Sequence, residues 1–292
     1  MGETQKFRIQ HLPNLLLKTG KAWFEGEPFE RSAIIAYYAV LSLPALLIII
    51  LKFVGGFWDE DVVRGEILGD ISEALGRDVG EAILGIIENQ SDKETSLVAI
   101  IIGIGTLVYG STGVFFQLQS ALDKIWEKVP HYKNSIISML MSRAKSFGFI
   151  LILGFLLLTS FVLTTLLSAF SRQLNRILPE DMINFIFIID LVISVGFIYI
   201  LFATMFKFLP SAKVTWKSVR IGAALTTVLF LIGKYVLALY FNTMEPGSTY
   251  GAAGSIILIM LWTSYSSLIL LFGAHFTKQY SDRYVVGITS QS

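Results

Sequence analysis

Long unbroken apolar runs, rather than alternation, set the pattern of this 292-residue chain. A bilayer core about 30 Å thick asks for roughly 20 apolar residues from a spanning helix. Six stretches meet that length: Ser32–Phe57, Thr95–Leu118, Phe147–Phe170, Ile183–Phe206, Ile221–Phe241 and Gly254–Phe276. The short alternating segments of a membrane barrel are absent from the pattern. Runs such as Ile150–Leu158 and Ile256–Leu261 are apolar on every side. In lipid, such a run must satisfy its own backbone groups, which a helix does. The pattern therefore predicts an all-α membrane protein, a bundle of six transmembrane helices forming a single integral-membrane domain over residues 1–292.

Between the spans the period changes. Residues 59–94 hold Ile67, Leu68, Ile71 and Leu75, then Val79, Ile83, Ile86 and Ile87. That is helical spacing with one apolar face. The segment is read as an amphipathic cap on the outer mouth, with a gating lid as the alternative. Residues 12–24 form a second amphipathic stretch, in which Leu12, Leu15, Leu16, Trp23 and Phe24 accompany Lys18 and Lys21. They are expected to lie as an interfacial helix on the inner leaflet. Residues 1–31 lack the short apolar core and cleavage site of a signal peptide, so the first span is expected to act as an uncleaved anchor.

Composition agrees with the pattern. Hydrophobic residues make up 54% and charged residues 15%, against about 25% charged in ordinary soluble domains. The formal charge of +1 gives no reason to expect a nucleic-acid partner. The chain has no cysteine, which removes disulfides, thiolate nucleophiles and Cys-ligated metals. The distribution of basic residues says more than the total. Sixteen Lys and Arg lie in the N-terminal segment, the second and fourth loops and the tail, and five lie on the opposite side. This bias places both termini in the cytoplasm.

Three residues that carry a full charge at neutral pH fall inside the spans: Lys52, Asp190 and Lys234. Counting along the helices puts all three about 8–10 Å below the outer boundary. An unpaired charge at such depth costs ~2.5–3.5 kcal/mol on insertion scales. Two arrangements relieve that cost. In one, Asp190 pairs with Lys234 as a structural element and Lys52 reaches the interface. In the other, the three face inward as one cluster, with a surplus cation that holds an anionic group along a pathway. Pro44 removes a backbone hydrogen bond in the first span and is expected to kink it. Gly103, Gly105, Gly110 and Gly113 are expected to let another helix approach the second span closely.

Candidate chemistry is sparse. The three histidines, His11, His131 and His275, are far apart. No metal-ligand spacing, nucleophile elbow or phosphate loop occurs. His275, near the inner end of span six, is a candidate polar helix-end residue. Asp123 and Glu127 sit among lysines and read as a solvated helix face. Four basic residues surround Trp216 in the fourth loop, a pattern that fits topology-setting charge, with lipid-headgroup binding as the alternative. No catalytic residue, metal site or cofactor is expected, and the chain is not read as an enzyme.

Several stretches, in this order, are distinctive: Ser32-Ala-Ile-Ile-Ala-Tyr-Tyr-Ala-Val-Leu-Ser-Leu-Pro44, Gln117-Leu-Gln-Ser-Ala-Leu-Asp-Lys-Ile-Trp126, Leu209-Pro-Ser-Ala-Lys-Val-Thr-Trp216, Tyr250-Gly-Ala-Ala-Gly-Ser255 and Leu271-Phe-Gly-Ala-His-Phe-Thr277. Together they resemble the YihY/BrkB family of bacterial inner-membrane proteins, once labelled ribonuclease BN. The resemblance implies six spans, a multi-pass place in the bacterial inner membrane and a connection with envelope lipids or serum resistance. The family's last motif commonly reads Gly-Ala-Glu-Phe, where this chain has His275, and a Gln seven residues earlier is Leu268 here. A mechanism that carries a proton on that Glu therefore does not transfer.

The reading of function that follows is a transporter or flippase for an anionic lipid or envelope precursor. A non-catalytic scaffold in envelope assembly is the alternative, and a membrane-tethered ribonuclease comes last. The expected partners are the bilayer, anionic lipid headgroups, and a second copy of the chain or an envelope protein.

Overall fold

The structure is a computed structural model and describes residues 8–55, 97–127, 180–244 and 254–285, with backbone alone over much of 42–55, 97–104 and 180–191. A 3-10 turn at Ile9–His11 leads into six helices: α1 Leu12–Glu25, α2 Pro28–Gly55, α3 Leu97–Ile125, α4 Glu180–Phe208, α5 Trp216–Met244 and α6 Gly254–Tyr284. No strand occurs among the described residues. Five of the six expected spans fall on α2 to α6. The expected span Phe147–Phe170 and the outer segment 59–94 lie outside the described residues. In α5 the stretch Trp216–Phe241, and in α6 the stretch Ile256–Tyr284, are long and apolar enough to cross a membrane. On α5 the exposed residues Val228, Ile232, Tyr235, Val236 and Leu239 recur at helical spacing. That stripe of large apolar side chains suits contact with lipid.

The chain divides into two compact units. The first comprises Met1–Thr19, Leu122–Thr227 and Gly273–Ser292. Its core joins the start of α1 to the end of α6. Leu15 is buried with Phe276, Tyr280 and Tyr284, flanked by Leu12, Leu16, Leu225 and Val285. The amphipathic stretch at 12–24 is thus a helix, but Leu15 spends its apolar surface on protein rather than lipid. Lys18 and Lys21 remain exposed, as expected.

In the same unit α5 and α6 meet through a reciprocal contact. A side chain on Gly222 would fall onto Thr277, and one on Gly273 would fall onto Thr226. Each threonine donates its hydroxyl to the glycine four residues before it, Thr226 to the Gly222 carbonyl and Thr277 to the Gly273 carbonyl, both at 2.7 Å. All four residues are buried. Glycine is required because an added Cβ would lie within 2 Å of the facing threonine's hydroxyl oxygen, 1.8 Å at Gly222 and 1.9 Å at Gly273. The threonines satisfy their hydroxyls by back-bonding within their own helix, and in each pair the hydroxyl oxygen is the threonine atom nearest the facing glycine.

The second unit comprises Gly20–Ala121 and Val228–Phe272. At the α1–α2 junction Glu27 adopts a φ of 56°. Arg31 holds that turn, donating from Nε to the Gly26 carbonyl at 3.0 Å and pairing with the Glu27 carboxylate at 3.6 Å. Trp23 packs against Phe24, Phe29 and Phe272. The ring of Tyr38 lies on Gly113, so this glycine does allow α2 to approach α3, whereas Gly105 faces open space. Ser264 on α6 donates to Ser32 on α2 at 3.1 Å.

Candidate functional site

The residues picked out by charge are distributed as follows. Lys52 is on α2 and Asp190 on α4, but their side chains lie outside the described residues. Lys234 is half-buried on α5, between buried Gly233 and strongly exposed Tyr235. It makes no ion pair or hydrogen bond among the described residues. Pro44 lies within α2, which is helical on both sides of it. His275 is half-buried on α6, between the buried Ala274 and Phe276. Among the described residues no three His, Asp or Glu side chains gather as a metal-ligand set.

The polar chemistry of the first unit concentrates instead at the α4–α5 connection. Pro210 follows α4 and disfavours helical geometry at the residue before it. The chain then turns through Ser211–Thr215 and re-enters a helix at Trp216. Asp123, in the last turn of α3, holds this turn. Its Oδ1 accepts the Ser211 N–H at 2.6 Å and its Oδ2 accepts the Ser211 hydroxyl at 2.9 Å. Asp123 is only 5% exposed. The solvated-face reading therefore fails for Asp123 and holds for Glu127, which is exposed and pairs with Lys278 at 3.7 Å. A carboxylate in the last turn of a helix opposes the macrodipole. It persists there because two hydrogen bonds from a partner 88 residues away satisfy it.

Lys207 closes the other side of the turn. Its ammonium donates to the Val214 carbonyl at 2.5 Å and sits 5.5 Å from the centre of the Trp216 ring. The loop's basic residues are therefore not uniform. Lys207 is committed to structure, while Lys213, Lys217 and Arg220 are exposed. Thr215 caps α5, its carbonyl accepting the N–H groups of Ser218 and Val219 at 3.1 Å and its hydroxyl meeting the Ser218 hydroxyl at 3.0 Å.

Beside this turn a groove of about 350 Å³ runs between α4 and α5, lined by Tyr199, Ile200, Ala203, Thr204, Trp216 and Arg220. The four α4 residues form one helical face. Trp216 and Arg220 are one turn apart on α5. The Thr204 hydroxyl is turned back to the Ile200 carbonyl at 2.7 Å, which leaves the lining of the groove largely apolar.

All-helical architecture, apolar helices of spanning length and lipid-suited stripes define the class as a helical membrane protein. Comparison with known proteins gives the family. The model of the family described as "Virulence factor BrkB" matches residues 23–292, and the chain belongs to that family. A UPF0761 membrane protein of Psychromonas ingrahamii is 25% identical over 253 residues, covering 83% of this chain and 79% of its own. A UPF0761 membrane protein of Mannheimia succiniciproducens is 24% identical over 262 residues, covering 87% and 84%. YfkH of Bacillus subtilis, whose name calls it ribonuclease-like, is 24% identical over 263 residues, covering 85% and 88%. No solved structure gives a significant match.

Proposed function

We propose that this protein binds an anionic lipid or envelope precursor within the bilayer and moves it between leaflets, with Lys52, Asp190 and Lys234 along its path. The observation that carries the reading is Lys234. It is a lysine near the middle of a helix apolar enough to cross a membrane, half-buried, with no ionic partner among the described residues. Keeping a charge there costs ~2.5–3.5 kcal/mol unless something compensates it. An anionic headgroup passing through would do so, and Asp190 would hold the site neutral between passages. The inner membrane of a bacterium is the setting this reading assumes, with both termini in the cytoplasm. An RNA-cleaving role comes last among the readings, and the ribonuclease-like name is that of YfkH.

The test is translocation of fluorescent phosphatidylglycerol in vesicles holding the purified protein. Wild type accelerates movement between leaflets. Lys234→Met and Asp190→Asn slow it about tenfold or more, the effect of losing ~1.4 kcal/mol of stabilisation along the path. Movement equal to that in protein-free vesicles sinks the transport reading and leaves a non-transporting scaffold.

A further inference from the structure

The groove beside the α4–α5 turn brings apolar side chains and a guanidinium together. Tyr199, Ile200 and Ala203 line it from α4, and Trp216 and Arg220 line it from α5. Ile200 and Phe208 are exposed along α4, and Trp216 is half exposed. From Lys207 to Arg220 the sequence has four basic residues and no acidic one. The carboxylate bonded to this turn, Asp123, is buried and already committed to Ser211. Arg220 is exposed and makes no ion pair among the described residues. We propose that this groove binds one anionic phospholipid, its phosphate on the Arg220 guanidinium and an acyl chain along the α4 face.

The chemistry favours this occupant on three counts. A guanidinium presents a planar fork that matches phosphate oxygens, and it is weakly hydrated enough to sit at a bilayer interface. Tryptophan places its ring at headgroup level, where one edge is apolar and the other wet. A free phosphate would use Arg220 and leave the apolar lining bare. A zwitterionic lipid would bring its own cation close to the Arg220 guanidinium that holds its phosphate. The proposal does not rest on transport, and a fixed lipid held here is compatible with a scaffold.

The test uses the full chain in vesicles of phosphatidylcholine and phosphatidylglycerol, with bromine on the acyl chains of one lipid at a time. Bromine quenches nearby tryptophan, and the part of the quenching lost in Trp216→Phe reports this groove. Brominated phosphatidylglycerol is expected to quench that part with about fivefold higher apparent affinity than brominated phosphatidylcholine, the ratio that corresponds to about 1 kcal/mol for one interfacial basic residue. Arg220→Gln erases the preference, Arg220→Lys keeps most of it, and Lys217→Gln, outside the groove, leaves it in place. Equal quenching by both lipids in wild type overturns the proposal. So does an equal loss in Lys217→Gln and Arg220→Gln, which would mean diffuse surface charge. Recovery of fluorescence on adding glycerol 3-phosphate or inorganic phosphate would mean a site for soluble anions. No Trp216-dependent quenching by either lipid would mean that protein, such as a second copy of the chain, covers the groove. Preference that survives in Lys234→Met while translocation is lost separates this site from the proposed path.

Discussion

Asp123 shows how much a single side chain can hide from a reading by spacing. Within its own helix it sits near Lys124 and one turn from Glu127, the surroundings of a surface residue. Its partner, Ser211, lies 88 positions away, beyond any local period. One local signal was present, an acid placed where the helix dipole repels it. The geometry makes a pair of predictions. Asp123→Ala leaves the Ser211 N–H and hydroxyl without their acceptor and costs ~1–3 kcal/mol, seen as a lower unfolding temperature in detergent. Asp123→Asn keeps an oxygen for the N–H and offers an amide N–H to the Ser211 hydroxyl, so it retains most of that stability. Equal losses in the two variants would show that the negative charge, rather than the two hydrogen bonds, holds the turn. Lys207 teaches the same lesson with opposite sign. It looked like one of four equivalent basic residues, yet its ammonium is spent on the Val214 carbonyl and the Trp216 ring.

At the scale of the element, hydropathy located the helices well and their ends less well. The expected span Gly254–Phe276 begins where α6 begins, but α6 continues to Tyr284. A hydropathy window stops at the last apolar residue, while the backbone ladder continues wherever the side chains can be satisfied. Here Lys278 and Asp282, one turn apart, pair at 3.1 Å. Small residues were legible as a class but not in their roles. Gly113 meets Tyr38 and Gly105 meets nothing, although their sequence surroundings are alike. The four-residue spacing of Gly222 with Thr226, and of Gly273 with Thr277, is a small-residue packing pattern, and neither glycine was among those singled out in the sequence. Which helix each would face was not legible either. Gly222→Leu should drive a side chain into Thr277 and cost ~1–3 kcal/mol by overpacking, with the folded yield in detergent as the measurement. Gly105→Ala should leave that yield unchanged.

At the scale of the molecule, class and family were both legible, because they rest on summed hydropathy and on motifs spread along most of the chain. The interior was less so, since a charge inside a span announces its cost and not its partner. The expected topology rests on basic residues alone and has its own test. The chain has no cysteine, so a single introduced thiol is unique. Lys124→Cys, at the exposed end of α3, should react with a membrane-impermeant maleimide in inside-out vesicles and not in intact cells. The opposite pattern would reverse the assigned orientation. The paired glycines and threonines of α5 and α6 also constrain motion. Sliding one helix along the other by a turn, about 5.4 Å, would bring threonine onto threonine in one direction and leave glycine opposite glycine in the other. One shift jams and the other opens a gap. At that height the hairpin has a single register, so α5 and α6 move there together or not at all, and neither ratchets past its neighbour.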